Sequence, residues 1–284
     1  MGGELSRTRG LGKAELIRVA AVGDIHIGRD MAGSLRMSLS HVVERADILL
    51  LAGDLTQHGD PAEGEIVAHE LASVGVPIVS VLGNHEYHQG QQQRIRNKLE
   101  AAGVTVLEGE GTVLTVGGRR VGIGGVKGFG GGFAGACGSE FGEDEMKAFI
   151  RHSRLRAEAL HEALARLECD FKIALTHFSP TKGTLVGEKP EIHPFLGSYF
   201  LGEAIDATDC HLALHGHAHL GTERAVTPGG VPVRNVARPV IKLAYKLYAF
   251  GDPAHVELAA TEYVASSSAI GARVSAIPAA RQSG

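Results

Sequence analysis

The chain has 284 residues, of which 44% are hydrophobic and 21% are charged. This composition excludes a disordered chain and a coiled coil, and the length allows one large domain or two small ones around a sizeable core. With 28 lysines and arginines against 32 aspartates and glutamates, the formal net charge is −4, which argues against recruitment of nucleic acid or of an anionic membrane.

Segments for export or membrane insertion are not predicted. No apolar run approaches the roughly 20 residues needed to cross a bilayer, and the stretch from Met1 to Arg9 lacks the apolar core of a signal peptide. We therefore expect a cytoplasmic protein. The three cysteines are odd in number and never spaced as Cys-x-x-Cys, which argues against a disulfide framework and against a cysteine metal site.

The first part of the chain alternates short apolar strands with helices. Apolar, β-rich runs that end at a glycine predict strands at residues 17–22, 48–52 and 76–82. Between them, apolar residues at helical spacing predict helices at 34–45 and 61–73. This alternation predicts a largely parallel central sheet.

After residue 90 the predicted elements include antiparallel hairpins. The pair Gly117-Gly118 joins two strands between residues 112 and 126. The glycine-rich segment 128–142 predicts a mobile loop without regular structure. The other predicted elements are helix 91–101, strand 104–107, helix 143–168, strand 172–176, a loop through 194, helix 197–207, strand 210–215 and hairpin 223–236.

These elements predict one domain. Residues 1–14 and 265–284 are small and polar without a sustained period, which predicts flexible tails. No linker separates two cores, so we expect residues 15–264 to form a single α/β domain. Its predicted architecture is a two-sheet β-sandwich of mixed strands flanked by helices.

Five predicted strand ends carry potential metal ligands. Because ligands collect at the carboxyl edge of open α/β sheets, we expect these five junctions to surround one crevice. Each junction alone is a weak signal, since Gly-Asp often only caps a helix. Their ordered combination favours a metal site over five unrelated turns. The junctions are Asp24-Ile-His26, Gly53-Asp54, Gly83-Asn84-His85-Glu86, Thr176-His177 and Gly216-His217-Ala218-His219.

This ordered set resembles the calcineurin-like metallophosphoesterase family over roughly Arg18 to Leu220. The resemblance implies a metallophosphoesterase-like sandwich that binds two metal ions. It implies that Asp24, His26 and His219 bind one ion, that Asn84, His177 and His217 bind the other, that Asp54 bridges them, and that His85 is a catalytic acid outside the ligand set.

The residue types support the same chemistry without the resemblance. Imidazole and carboxylate donors suit manganese or iron first, with zinc or cobalt as alternatives, whereas the scarcity of hard oxygen ligands argues against calcium. A hydroxide shared by two ions can attack phosphorus in line. His85 is then placed to protonate the leaving alkoxide or to stabilise a phosphoryl oxygen.

The expected function is hydrolysis of phosphate esters, with a small or nucleotide-type phosphodiester as the substrate. Phosphomonoesterase, DNA nuclease and non-catalytic scaffold are the alternatives. The net charge argues against the nuclease and the intact ligand set against the scaffold. The expected partner is thus a small ester, without nucleic acid or membrane. Segments 128–142 and 179–194 are expected to overhang the crevice, where Lys127, Lys182 or Lys189 would contact substrate.

Overall fold

The computed structural model describes residues 16–250. The predicted tails at 1–14 and 265–284 lie outside the described residues, as do the last residues of the predicted domain, 251–264. None of the helices found between residues 16 and 250 has the length and apolar character needed to cross a membrane.

Five strands form the first sheet, in the order β13-β1-β2-β3-β4. Four of them run parallel: β1 (Ile17–Val22), β2 (Ile48–Ala52), β3 (Ile78–Val81) and β4 (Val104–Leu107). Their mostly apolar and largely buried sequences are typical of parallel strands that are covered on both faces. The edge strand β13 (Lys246–Phe250) pairs antiparallel with β1.

Six strands form the second sheet, in the order β11-β12-β10-β9-β6-β5. Two antiparallel hairpins supply its outer strands, β5 (Glu110–Val116) with β6 (Arg119–Val126) and β11 (Arg224–Val226) with β12 (Pro232–Asn235). Between the hairpins, β9 (Phe171–Thr176) and β10 (Leu212–His215) run parallel to each other and to their neighbours. The predicted mixed, two-sheet architecture is confirmed.

The helices lie outside the two sheets. Local sequence explains where several begin: at α3, for example, the Asp60 carboxylate accepts a hydrogen bond from the Ala62 N–H, and Pro61 occupies the first helical position. The helices are α1 (Ser34–Leu39), α2 (Val42–Arg45), α3 (Pro61–Leu71), α4 (Gln92–Ala101), α5 (Asp144–Ala165), α6 (His193–Leu196), α7 (Tyr199–Asp206) and α8 (Arg238–Ile241).

Three apolar layers hold the sheets and helices together. The central layer lies between the sheets and buries side chains such as Val19, Leu50 and Ile173 completely. A second layer packs α1, α3 and α4 on the first sheet, and a third packs α5 and α7 on the second. Because the parallel strands of both sheets end on the same side of the sandwich, the loops that follow them meet there.

The helix predicted for residues 34–45 is two short helices, α1 and α2. Serine hydroxyls explain the break. Ser38 donates to the Ser34 carbonyl at 2.9 Å, and Ser40 donates to the Met37 carbonyl at 3.0 Å. Such bonds compete with the helical ladder and favour its termination.

The prediction that segment 128–142 lacks regular structure is wrong. It contains a small hairpin, β7 (Gly132–Phe133) with β8 (Ala136–Cys137), and its first part is largely buried. The glycines serve close packing rather than mobility, because a Cβ atom at Gly132 would lie 2.1 Å from the Ala136 carbonyl oxygen. The Gly132 N–H also donates to the Gly197 carbonyl and so ties the segment to the start of α7.

A candidate metal centre at one end of the sandwich

The structure brings the eight predicted site residues together. Their positions are Asp24 and His26 after β1, Asp54 after β2, Asn84 and His85 after β3, His177 after β9, and His217 and His219 after β10. The metal-ligating atoms form three trios, in each of which they lie within 4.8 Å of one another: Asp24, His26 and His219; His26, Asp54 and His85; and Asp54, His177 and His217.

Four of these residues have left-handed backbone conformations that side chains other than glycine rarely adopt. Their φ angles are 57° for Asp24, 47° for His26, 51° for Asp54 and 70° for His217. Each such residue costs of order 1 kcal/mol and persists only where surrounding contacts enforce it. Concentration of this strain at one site is typical of functional centres, where it aims side chains inward.

The first trio joins the two sheets. Nε2 of His219 lies 2.8 Å from Oδ1 of Asp24, and the Asp24 carboxylate also accepts the backbone N–H of His217 at 3.0 Å. Nε2 of His26 is buried and has no hydrogen-bond partner within residues 16–250. A buried ring nitrogen without a partner is costly, and a metal ion in this trio would satisfy it.

Asn84, His177 and His217 form the other set, and backbone carbonyls orient both of its imidazole rings. Nδ1 of His177 donates to the Ala52 carbonyl at 2.8 Å, which turns Nε2 towards Oδ1 of Asn84, 2.9 Å away. Nε2 of His217 donates to the Phe195 carbonyl at 3.2 Å, so Nδ1 is the atom that this ring would offer to an ion. Such bonds to the second ring nitrogen are typical of metal-binding histidines.

Asp54 lies between the two sets. Its Oδ1 is 3.3 Å from Nε2 of His177, and its Oδ2 is 3.9 Å from Nε2 of His26. The close approach requires glycine at position 83, because a Cβ atom there would lie 2.0 Å from Oδ1 of Asp54. The carboxylate therefore presents one oxygen to each group of histidines, as a bridging ligand would.

The charges favour a cation at this centre. Burial lowers the pKa of His26 to about 4 and that of His217 to about 3, so both rings are neutral donors. Burial opposes ionisation of Asp54, yet the neighbouring His177 holds the pKa of that carboxyl below its usual range. Burial also lowers the pKa of His177, but Asp54 outweighs it and raises the value to about 9. A proton on His177 thus occupies the place that a metal ion would take.

His85 lies at the solvent side of the centre. Its Nδ1 donates to the Gln57 carbonyl at 2.6 Å, and its Nε2 lies 3.7 Å from Oδ2 of Asp54. The ring packs edge-on against that of His26, with 4.4 Å between centroids. This position suits a proton donor to a bound ester, and it is also close enough to Asp54 for metal ligation.

Glu86 is a site residue to which the sequence pattern assigns no role. Its carboxylate is completely buried and accepts the backbone N–H groups of Asp54, Thr56 and Gly83 at 2.6–3.1 Å, together with the Thr56 hydroxyl. Burial and the nearby Asp54 raise the pKa of Glu86. The sequence shows only that Glu86 follows Asn84 and His85, whereas its burial and its contacts with the loop after β2 are visible in the structure alone.

Of the three lysines expected to contact substrate, Lys127 is buried. Its ammonium is buried, lies 4.9–5.0 Å from the ring centroids of Tyr87, Phe129 and Phe178, and donates to the Gly128 carbonyl. Lys182 and Lys189 are exposed on their loop. A cavity of about 650 Å³ lies between α1 and α3, and none of the eight site residues lines it.

Comparison with known proteins gives a consistent assignment. The profile of the calcineurin-like phosphoesterase family matches residues 17–221. Among curated proteins, an uncharacterized metallophosphoesterase of Aquifex aeolicus is 36% identical over 107 residues, which cover 36% of this chain and 40% of that protein. A Synechococcus protein named as a probable cyclic nucleotide phosphodiesterase is 29% identical over 85 residues, which cover 26% of this chain and 33% of that one. The matched segments therefore span less than half of the length of these two relatives.

Solved structures share the fold. A Thermus thermophilus protein superposes with a TM-score of 0.54 at 17% identity and covers 87% of this chain and 99% of its own. GAP50, described as the anchor in the inner membrane complex of Plasmodium, gives 0.53 at 11% identity and 88% coverage of each chain. At these identities the likeness establishes the fold alone.

Proposed function

Because this chain belongs to the calcineurin-like phosphoesterase family, we propose that it is a binuclear, metal-dependent phosphodiesterase that acts on small or nucleotide-type esters. The observation that carries this proposal is the position of Asp54, whose two carboxylate oxygens face two separate groups of histidines. The name of the Synechococcus relative supports a diester as substrate.

The residues present fit two divalent ions. One ion would bind the buried Nε2 of His26, which has no hydrogen-bond partner among the described residues. The second would lie among Nε2 of His177, Oδ1 of Asn84 and Oδ1 of Asp54, which are close together. Asp24, His26 and His219 would hold one ion, and Asn84, His177 and His217 the other. Nitrogen and carboxylate donors without thiolates favour manganese or iron. When bound, such ions supply Lewis-acid stabilisation of the phosphoryl charge and activation of water.

The chain's own residues do the remaining work. Asp24 and Asp54 offset part of the metal charge and leave a net positive centre that attracts a phosphate ester. His85 would donate the proton that the leaving oxygen requires, through the Nε2 edge that faces the crevice. The Gln57 carbonyl fixes the ring by accepting from Nδ1, so only Nε2 is available to the substrate.

The test is a metal-reconstitution assay on the full chain. Protein stripped with chelator and reloaded with manganese is expected to hydrolyse bis-p-nitrophenyl phosphate faster than p-nitrophenyl phosphate, with cyclic nucleotides and single-stranded DNA in the same panel. Faster cleavage of the monoester or of DNA would replace the diesterase proposal by one of those activities. A metal-loaded protein that cleaves none of them would support a non-catalytic scaffold on this fold.

A further inference from the structure

Three exposed apolar side chains stand on the loops that follow β9 and β10, which also carry candidate metal ligands. Val186 is 63% exposed, Phe195 is 60% exposed and Leu220 is 67% exposed. Val186 and Phe195 are the sequence neighbours of Leu185 and Leu196, and Leu220 comes two residues after Ala218. Leu185, Leu196 and Ala218 are buried in one small apolar cluster, so the loops meet there, and we call the three exposed side chains the apolar rim.

The apolar rim is joined directly to the candidate metal ligands. The backbone carbonyl of Phe195 accepts the hydrogen bond from Nε2 of His217, and Leu220 follows His219 in the chain. The Leu220 N–H donates to the Glu188 carboxylate at 2.7 Å, which fixes the end of this loop next to Val186. A phosphoryl group at the metal centre would therefore have the rim beside it.

The ring of Phe195 is supported from behind. It packs edge-on against Phe149, with 6.2 Å between centroids, and Phe149 in turn contacts Phe129 at 5.0 Å. Phe129 continues to Phe178, whose ring lies 4.3 Å from that of His217. The chain has only nine phenylalanines, and four of them form this line. An exposed ring held in this way can stack on another ring without a large ordering cost.

The loops that follow the strands of the first sheet carry polar groups instead. His85 donates to the Gln57 carbonyl, and Arg29, three residues after His26, forms an ion pair with Asp60. The two sides of the crevice thus differ in chemistry, which gives an ester with one apolar group a single preferred orientation. A substrate without such a group would leave the apolar rim in water.

We propose that the apolar rim is the binding site for the organic group of the substrate, and that this group carries a flat aromatic ring that stacks on Phe195. Val186 and Leu220 would contact its edges. This inference rests on the proposed function, because the metal centre is what holds the phosphoryl group beside the rim. The substrate class is then an aryl- or nucleobase-bearing phosphodiester rather than a polyol phosphodiester.

The experiment compares two ligands that differ only in the group of interest. Phenylphosphonate and methylphosphonate are titrated calorimetrically into the manganese-loaded protein, and the ratio of their Kd values is measured for wild type, Phe195→Ala and Phe141→Ala. Phe141 is 84% exposed and precedes α5, which makes it a matched control. Stacking worth about 0.5–1.5 kcal/mol predicts that Phe195→Ala reduces the preference for phenylphosphonate about two- to twelvefold, and that Phe141→Ala leaves it unchanged.

Four outcomes separate the two proposals. An equal loss of affinity for both phosphonates in Phe195→Ala would overturn the inference, because it would show an effect on His217 rather than on stacking. Equal binding of the two phosphonates by the wild type would also overturn it. Dissociation of a wild-type oligomer by Phe195→Ala, with ligand selectivity unchanged, would assign the rim to a second copy instead. A Phe195-dependent preference in a protein that hydrolyses no ester would support the rim while contradicting the proposed function.

Discussion

Asp54 combines a strained backbone with a buried carboxylate, and neither feature is stable without a partner. Its φ of 51° is unfavourable for any residue with a side chain, and burial opposes its charge. Protonated His177 supplies a compensating positive charge, because, against the effect of burial, Asp54 raises the pKa of its ring to about 9. The geometry therefore makes Asp54 the residue on which both proposed ions depend, whereas His219 contacts only the Asp24 side.

Replacement of these two ligands should have different effects on metal content. We expect about two manganese ions per wild-type chain, about one in His219→Ala, and fewer than one in Asp54→Ala, because only the latter removes a shared ligand. Elemental analysis after gel filtration measures this, and the exposed His69 provides the control His69→Ala. Full metal content in Asp54→Ala would contradict a bridging role.

His85 should matter for proton transfer and not for metal binding. We expect His85→Ala to keep both ions and to lose roughly a hundredfold or more in kcat on diesters with alkoxide leaving groups. The loss should be smaller with p-nitrophenolate, which departs without protonation. Kinetics on the two leaving groups, with metal content measured in parallel, check this. Loss of one ion from His85→Ala would instead place His85 among the ligands, an arrangement that its distance to Asp54 permits.

The loops after β2 and β3 act as one unit because Glu86 binds backbone groups of both. We expect Glu86→Gln to lower the free energy of unfolding by about 1–3 kcal/mol, since the amide NH₂ of glutamine cannot accept these N–H groups. Manganese affinity should fall about ten- to a hundredfold through the displaced Asp54. Urea unfolding and chelator competition measure the two effects. The exposed Glu65 gives the control Glu65→Gln, and equal behaviour of both variants would exclude a positioning role for Glu86.

Lys127 directly follows strand β6 and is buried in surroundings that disfavour its positive charge. Burial lowers the pKa of Lys127 to about 8, below its value in the unfolded chain. Between about pH 8 and 10 the lysine is therefore protonated in the unfolded state but mostly neutral in the fold. The free energy of unfolding rises with pH across that window. Below about pH 8 both states carry the proton, and the full cost of burying the charge applies. We expect the wild type to gain roughly 2 kcal/mol of unfolding free energy relative to Lys127→Met between about pH 8 and 10. Parallel urea titrations of the two proteins test this, and a constant difference would show a fully charged Lys127 in the fold.

The elements that could be predicted from the sequence are those whose pattern is local. The run Ile48–Ala52 and its terminal Gly53-Asp54 predict both a strand and a site position. The prediction for segment 128–142 fails because glycine content does not distinguish mobility from close packing against residues near 197. Strand β13 escapes prediction although Lys246, Tyr248 and Phe250 alternate as buried residues, since five residues carry too little pattern. The role of Glu86 depends on contacts with residues about 30 positions away, which no local pattern contains.

The candidate metal centre also joins the two halves of the whole molecule, since the first sheet supplies Asp24, His26 and Asp54 while the second supplies His177, His217 and His219. The proposed ions, bound across this junction, would stabilise only the folded state. At a hundredfold excess over Kd the gain is about 2.7 kcal/mol for each site, since the unfolded chain offers no such arrangement.

Metal removal should therefore destabilise the entire domain. We expect manganese to raise the Tm of chelator-treated protein by roughly 5 °C or more, and calcium at equal ionic strength to have little effect because the donors are mostly imidazoles. Differential scanning calorimetry measures the shift. The variant Asp54→Ala should show a much smaller shift, and a manganese-induced rise of equal size in that variant would locate the stabilising ion elsewhere.

The hydrogen bond between His219 and Asp24 spans 195 residues of the chain. During synthesis Asp24, His26 and Asp54 leave the ribosome long before His177, His217 and His219 exist. Closure of such a long loop is costly until the strands between are in place. A nascent chain therefore exposes only part of each ligand set, and capture of a metal ion at full affinity would become possible only when the second sheet is complete. Metal retention is for this reason a direct readout of finished folding.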